Sequence, residues 1–138
     1  MGKTRCVWLL ARRLFIEETV HVIALADTEF AHECTRFASH TSRDWIQRLC
    51  AARVLFLDDL GRAAPTERYR HELYHIVEQR TAWCRPMLVT TNFNGEELGD
   101  RIGDTVGRAI VERLREFCDV VCFGHRNDFQ QPQTQETP

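Results

Sequence analysis

Apolar and polar positions change their period several times along this chain, and each change marks an element. Residues 4–18 carry Val7, Leu10 and Leu14 at three- and four-residue steps, which predicts a helix. Residues 20–26 (VHVIALA) then read as a strand. Two helical stretches follow between residues 28 and 49, one with Phe30, Cys34 and Phe37 on a face and the other with Ile46 and Leu49. The run Val54-Leu55-Phe56-Leu57 is continuously apolar and bounded by Arg53 and Asp58, as expected of a strand covered on both faces of a parallel sheet. Pro65 and Thr66 open a further helix, striped by Tyr69, Leu73, Ile76 and Val77, and Pro86 breaks it. A third strand at residues 87–89 ends in Thr90-Thr91-Asn92 and is followed by a polar, glycine-containing loop. Val106, Ile110 and Leu114 mark one more helix, and residues 120–123 a fourth strand. Strands alternating with helices predict an α/β fold around a mostly parallel sheet. There is no internal repeat. Residues 1–126 are expected to form one domain, and residues 127–138, which end in QQPQTQETP, a disordered tail.

Composition narrows the function classes. At 138 residues and 43% hydrophobic content the chain can bury a core, and its formal net charge of -2 supplies no global basic field for nucleic acid. Any DNA contact must be a local patch. No apolar run approaches a membrane span and no signal peptide opens the chain, so the expectation is a cytoplasmic protein without a membrane partner. The six cysteines, at 6, 34, 50, 84, 118 and 122, show no CxxC pairing and mostly fall in apolar periodic segments. They are predicted to be small buried hydrophobes rather than a zinc or disulfide framework.

Three segments carry candidate chemistry. Gly2-Lys3-Thr4 matches the last three positions of GxxxxGK[ST] and directly precedes a helix, where backbone N–H groups and the helix dipole favour phosphate. In such a loop the lysine reaches the β and γ phosphates and the threonine hydroxyl holds Mg²⁺. The strand ending in Asp58-Asp59 delivers two carboxylates at its C-terminal end, where parallel α/β sheets bind ligands. Asp58 would coordinate Mg²⁺ and Asp59 would orient or deprotonate the attacking water. The plainer reading is an acidic turn after a core strand. Asn92, at the end of the next strand, could fix that water or sense the γ phosphate, or simply make a turn.

GKT at a helix start, LFLDDLG about fifty residues on, LVTTN about thirty after that, and an arginine-bearing helix (GRAIVERL) before the last strand: this order resembles the DnaC/IstB branch of the AAA+ P-loop ATPases, from Gly2 to about Arg126. The resemblance implies a three-layer P-loop NTPase fold and an ATP-hydrolysing protein. It would act in DNA replication as a helicase loader, or in transposition. ATP and Mg²⁺ would be its cofactors, a replicative helicase or transposase and single-stranded DNA its partners, and copies of itself its assembly. By the same resemblance Gly2, Lys3 and Thr4 bind phosphate, Thr4 and Asp58 hold magnesium, and Asp58 and Asp59 are the Walker B acids. Asn92 is the sensor 1 residue, and Arg113 the arginine finger given to a neighbouring subunit. Arg108 and Arg126 match less closely and read as solvated charges.

The resemblance also implies a chain that starts in mid-P-loop, without the first central strand, which is expected between the strands ending in Asp58 and Asn92. Such a chain is expected to be poorly stable and short of phosphate-binding N–H groups. A non-catalytic interaction fragment of such an ATPase is therefore the alternative.

One motif points elsewhere. His71-Glu72-Leu73-Tyr74-His75 satisfies HExxH, in which two imidazoles one turn apart bind zinc and the glutamate activates water. At about 100° per residue both histidines project opposite the stripe of Tyr69, Leu73, Ile76 and Val77, and no third ligand stands out beyond the acidic loop Glu96-Glu97. They are predicted to face solvent, and zinc proteolysis is the remote alternative.

Overall fold

The structure, a computed structural model, describes residues 2–36 and 41–124. Helix α1 (Lys3–Glu18) is followed by strand β1 (Val22–Ala26), helices α2 (Asp27–Arg36) and α3 (Thr41–Ala51), and strand β2 (Val54–Asp58). Helix α4 (Glu67–Ala82), strand β3 (Met87–Val89) and helices α5 (Gly95–Ile102) and α6 (Asp104–Phe117) complete the described elements. All three strands are parallel and run in the order β1-β2-β3, with Val22 opposite Val54 and Leu55 opposite Met87.

The buried strand is the one its apolar run predicts. Val54, Leu55, Phe56 and Leu57 are 7%, 0%, 0% and 2% exposed, so side chains on both faces of β2 are covered. Leu55 and Leu57 join the main core with Leu73, Ile76 and Val77 of α4, Leu98 and Ile102 of α5, and Ile110 of α6. Phe56 points to the other face, where Trp8 of α1 meets it edge-on with ring centroids 5.5 Å apart. Helix, sheet and helices thus form three layers.

Helix α4 begins where Pro65 and Thr66 foretell it: the Thr66 hydroxyl accepts the Tyr69 N–H at 3.1 Å, a cap of about 1 kcal/mol. Its stripe of Tyr69, Leu73, Ile76 and Val77 is buried, while His71 and His75 are exposed, as the helical geometry predicts. No group of three or more metal-ligating side chains occurs among the described residues.

Four expectations need correction. The place expected between the strands ending in Asp58 and Asn92 for a missing central strand is closed, because β2 and β3 pair directly and neither lacks a ladder partner there. Residues 120–123 form no strand: Val120 and Val121 are each 73% exposed, and no described strand takes up their backbone groups. An apolar run is stable as a strand only with a ladder partner. The polar loop after Asn92 contains α5, started by a capping box in which the Asn94 side chain accepts the Glu97 N–H and the Glu97 carboxylate accepts the Asn94 N–H, each at 2.9 Å. Finally, only Cys34 and Cys50 are buried, whereas Cys6, Cys84 and Cys122 are exposed. Cys6 lies on a helix that meets the sheet through a narrow strip, with Ala11 its one buried residue among those described. The predicted face position of Phe37, the candidate Arg126 and the tail at 127–138 fall outside the described residues.

Candidate functional site

At the C-terminal edge of the sheet the chain brings together residues 89 positions apart. The Lys3 ammonium donates to Asn92 Oδ1 at 2.6 Å, and the amide of the same asparagine donates to Asp59 Oδ1 at 2.8 Å. The Thr4 hydroxyl donates to Asp58 Oδ1 at 2.9 Å, and the Thr90 hydroxyl donates to the same oxygen at 2.5 Å. Arg62 completes the set, its guanidinium 2.8 Å from Asp59 Oδ2. That bond holds the Arg62 pKa above its usual value.

Each element places its residue for a local reason. Strand β2 ends at Asp58, and the next residue turns the chain with a positive φ of 59°. A non-glycine residue there costs about 1 kcal/mol, least for Asp and Asn. Leu60 N–H then bonds to Thr90 C=O at 2.8 Å, and Thr90 N–H to Leu57 C=O at 3.0 Å, so the turn after Asp58 is tied to the end of β3. A buried carboxylate fixes the far side of that turn: Asp27, 2% exposed, accepts the N–H groups of Gly61 (3.2 Å) and Ala63 (2.8 Å) and the Tyr69 hydroxyl (2.5 Å). Burial, and then the Asp27 charge, push the Tyr69 phenol well above its ordinary pKa.

Helix α1 starts at Lys3, after Gly2 with a φ of 129°, a conformation that favours glycine. No side chain caps this helix and its first turn holds no acidic residue, so its free N–H groups are open to an anion. Asp58 and Thr4 offer hard oxygen donors converging on one point, which suits Mg²⁺. Lys3 and the uncapped helix start suit a phosphate chain.

Arg113 is not part of the cluster within one chain. Its Nε lies 2.6 Å from Glu78 Oε1 on α4 and its Nη1 3.7 Å from Glu116 Oε2, with the side chain 41% exposed. Glu78 is two residues from Arg80, whose guanidinium bonds to carbonyls at the N-terminal edge of the sheet, so Arg113 belongs to the opposite end from Asp58. Arg108 is exposed on the same helix.

Comparison with known proteins adds to this geometry. The chain superposes on the crystal structure of the DnaC helicase loader with a TM-score of 0.73 at 17% identity, over 86% of this chain and 70% of that one. Replication initiator DnaA bound to AMPPCP and single-stranded DNA matches with a TM-score of 0.71 at 18% identity, over 83% of this chain and 34% of that one. AMPPCP-bound DnaA from Aquifex aeolicus matches with a TM-score of 0.68 at 18% identity, over 83% of this chain and 35% of that one. The fold is the AAA+ P-loop type of DnaC and DnaA. By sequence, the chain is 27% identical over 106 residues to the uncharacterized protein YdaV of Escherichia coli K12. The match takes in 76% of the chain but 43% of YdaV, so the chain spans less than half the length of that curated relative. No protein-family model matches.

Two residues of this cluster were not singled out by sequence reasoning. Thr90 was visible only as part of the TTN strand end, and nothing local distinguishes it from Thr91, whose hydroxyl instead donates to Leu60 C=O at 2.7 Å. Arg62 carried no signal beyond its closeness to Asp59. No helix among the described residues is long and apolar enough to cross a membrane.

Proposed function

We propose that this chain binds ATP with Mg²⁺ and hydrolyses it to drive the remodelling of a partner protein in DNA replication. The observation that carries the reading is the hydrogen-bonded convergence of Lys3, Thr4, Asp58, Asp59 and Asn92 at the sheet's C-terminal edge, beside the uncapped start of α1. Lys3 would exchange the Asn92 oxygen for the β and γ phosphates. Thr4 and Asp58 would hold Mg²⁺, which when bound supplies positive charge against the phosphate oxygens. Asp59 and Asn92 would orient a water for in-line attack on the γ phosphorus. The new P–O bond forms as the bond to the β–γ bridging oxygen breaks, and Asp59 accepts the water's proton. Arg113, remote from its own chain's site, would serve the site of a second copy in a homo-oligomer.

The helicase-loading role is favoured over transposition because the DnaC neighbour is a helicase loader. Single-stranded DNA, which one DnaA neighbour binds, is the expected nucleic acid. Isothermal titration with ATP and Mg²⁺ and a phosphate-release assay test the reading. Asp59→Asn is expected to keep nucleotide binding and to lose about 10²–10³-fold in turnover. A wild-type chain that binds nucleotide without turnover would instead favour the non-catalytic interaction module, and one that binds none would remove the reading altogether.

A further inference from the structure

Thr90 is 5% exposed and follows directly on β3, and its hydroxyl makes two bonds at once. It donates its proton to Asp58 Oδ1 at 2.5 Å and accepts the N–H of Asp59 at 2.8 Å. A hydroxyl has a single proton to donate, so the bond to Asp58 leaves its lone pairs facing the Asp59 amide and fixes the hydroxyl's rotation. The two acids are thereby tied through one atom that belongs to another strand. Asp58 receives a second donor, Thr4, on the same oxygen. Asp59 takes its positive φ of 59° at the residue whose amide Thr90 holds. With the Asp59 backbone turned left-handed, its carboxylate leaves the line of β2 and reaches Asn92 and Arg62.

We infer that Thr90 is the positioning residue of this site, its hydroxyl holding the Asp58 carboxylate in place and locking the backbone turn that presents Asp59 to the attacking water. The role rests on the ATPase reading above. It differs from that of Asn92, whose bond to Asp59 is exposed: Thr90 is 5% exposed and acts through the two acids. Because the same side chain belongs to the strand end that carries Asn92, a shift of that strand end on nucleotide binding would reach both acids together.

Three full-length chains test this: wild type, Thr90→Val and Thr90→Ser. Valine keeps the shape and removes both bonds, whereas serine keeps both bonds and removes a methyl. In steady-state ATP hydrolysis Thr90→Val is expected to lose about tenfold or more in kcat with KM for ATP within about threefold, the signature of a misplaced acid rather than a lost binding contact. Thr90→Ser is expected to stay near wild type. The second readout needs no nucleotide: the Asp59 amide should exchange its hydrogen at least about tenfold faster in Thr90→Val than in wild type or Thr90→Ser, since its acceptor is gone. A folded Thr90→Val chain with unchanged kcat, or a serine variant as impaired as valine, overturns the proposal. Should the wild-type chain bind nucleotide without turning it over, the ATPase reading fails by itself, and amide exchange decides the positioning: faster exchange in valine alone supports it, and equal protection in all three overturns it.

Discussion

The two edges of the sheet use charge in opposite ways. At the N-terminal edge Arg80, fully buried, turns its guanidinium to backbone: Nη1 donates to the carbonyls of Leu49 (2.8 Å), Cys50 (3.2 Å) and Ala52 (2.8 Å), and Nη2 to that of Pro86 (2.6 Å). Arg85 adds a bond to Cys50 C=O at 2.7 Å. Burial, and then the neighbouring Arg85 charge, lower the Arg80 pKa to about 10, so the chain keeps this cation at a cost and offsets it with carbonyl oxygens that cannot move away. At the C-terminal edge the side chains of Lys3, Asn92, Asp59 and Arg62 are joined to one another in a chain of bonds near the surface. One edge is closed by partners fixed in the backbone. The other is held by partners that a ligand could replace, and under the proposed function the difference separates a structural charge from a functional one.

If that contrast holds, substitutions at the two edges should separate stability from binding. Arg80→Ala takes a donor from four carbonyls, of which Cys50 keeps Arg85 and Pro86 keeps the Leu55 N–H, and is expected to cost about 3–5 kcal/mol in urea unfolding, whereas a loss under about 1 kcal/mol would show that the closed edge is not what holds β2 and β3 together. Asp27→Ala, which frees two backbone N–H groups and a buried phenol, is expected to cost about 1–3 kcal/mol and to lower turnover by loosening the turn after Asp59. A smaller effect comes from Cys34, 3% exposed, whose thiol is pushed up to about 12 from an ordinary 9.0, chiefly by burial and next by the Glu72 charge. The folded chain holds this proton more tightly than the unfolded chain, so the stabilisation is complete below pH 9 and disappears as pH rises towards 12. Between pH 8 and pH 10 the thiol should account for about 1 kcal/mol of lost stability, and Cys34→Ala should show a correspondingly shallower decline. Smallest of all in stability, Lys3→Ala is expected to change unfolding by no more than about 0.5 kcal/mol while nucleotide binding is lost, because an exposed side-chain bond contributes little to folding.

Periodicity carried most of the architecture. The stripe of Tyr69, Leu73, Ile76 and Val77 and the apolar run at 54–57 report burial directly, because a helix face or a covered strand must be apolar at its own repeat. Helix α5 escaped notice because only Leu98 and Ile102 face the core among its apolar side chains, although the Asn94 and Glu97 spacing of its capping box was present. Residues 120–123 were misread for the converse reason: apolar side chains satisfy the pattern of a strand, but the pattern does not say whether a neighbour exists to receive the backbone hydrogen bonds.

From sequence alone, then, came the alternation of helices and strands, the buried central run and the polar residues stationed at the strand ends, all properties of neighbouring positions. Only the tertiary structure decided that β2 lies directly against β3, that Thr90 rather than Thr91 binds the acids, and that Arg80 is a buried clamp while Lys3 stays exchangeable. Those outcomes depend on which of several chemically equivalent donors and acceptors meet across sequence separations of up to 89 positions, and local composition does not encode that choice.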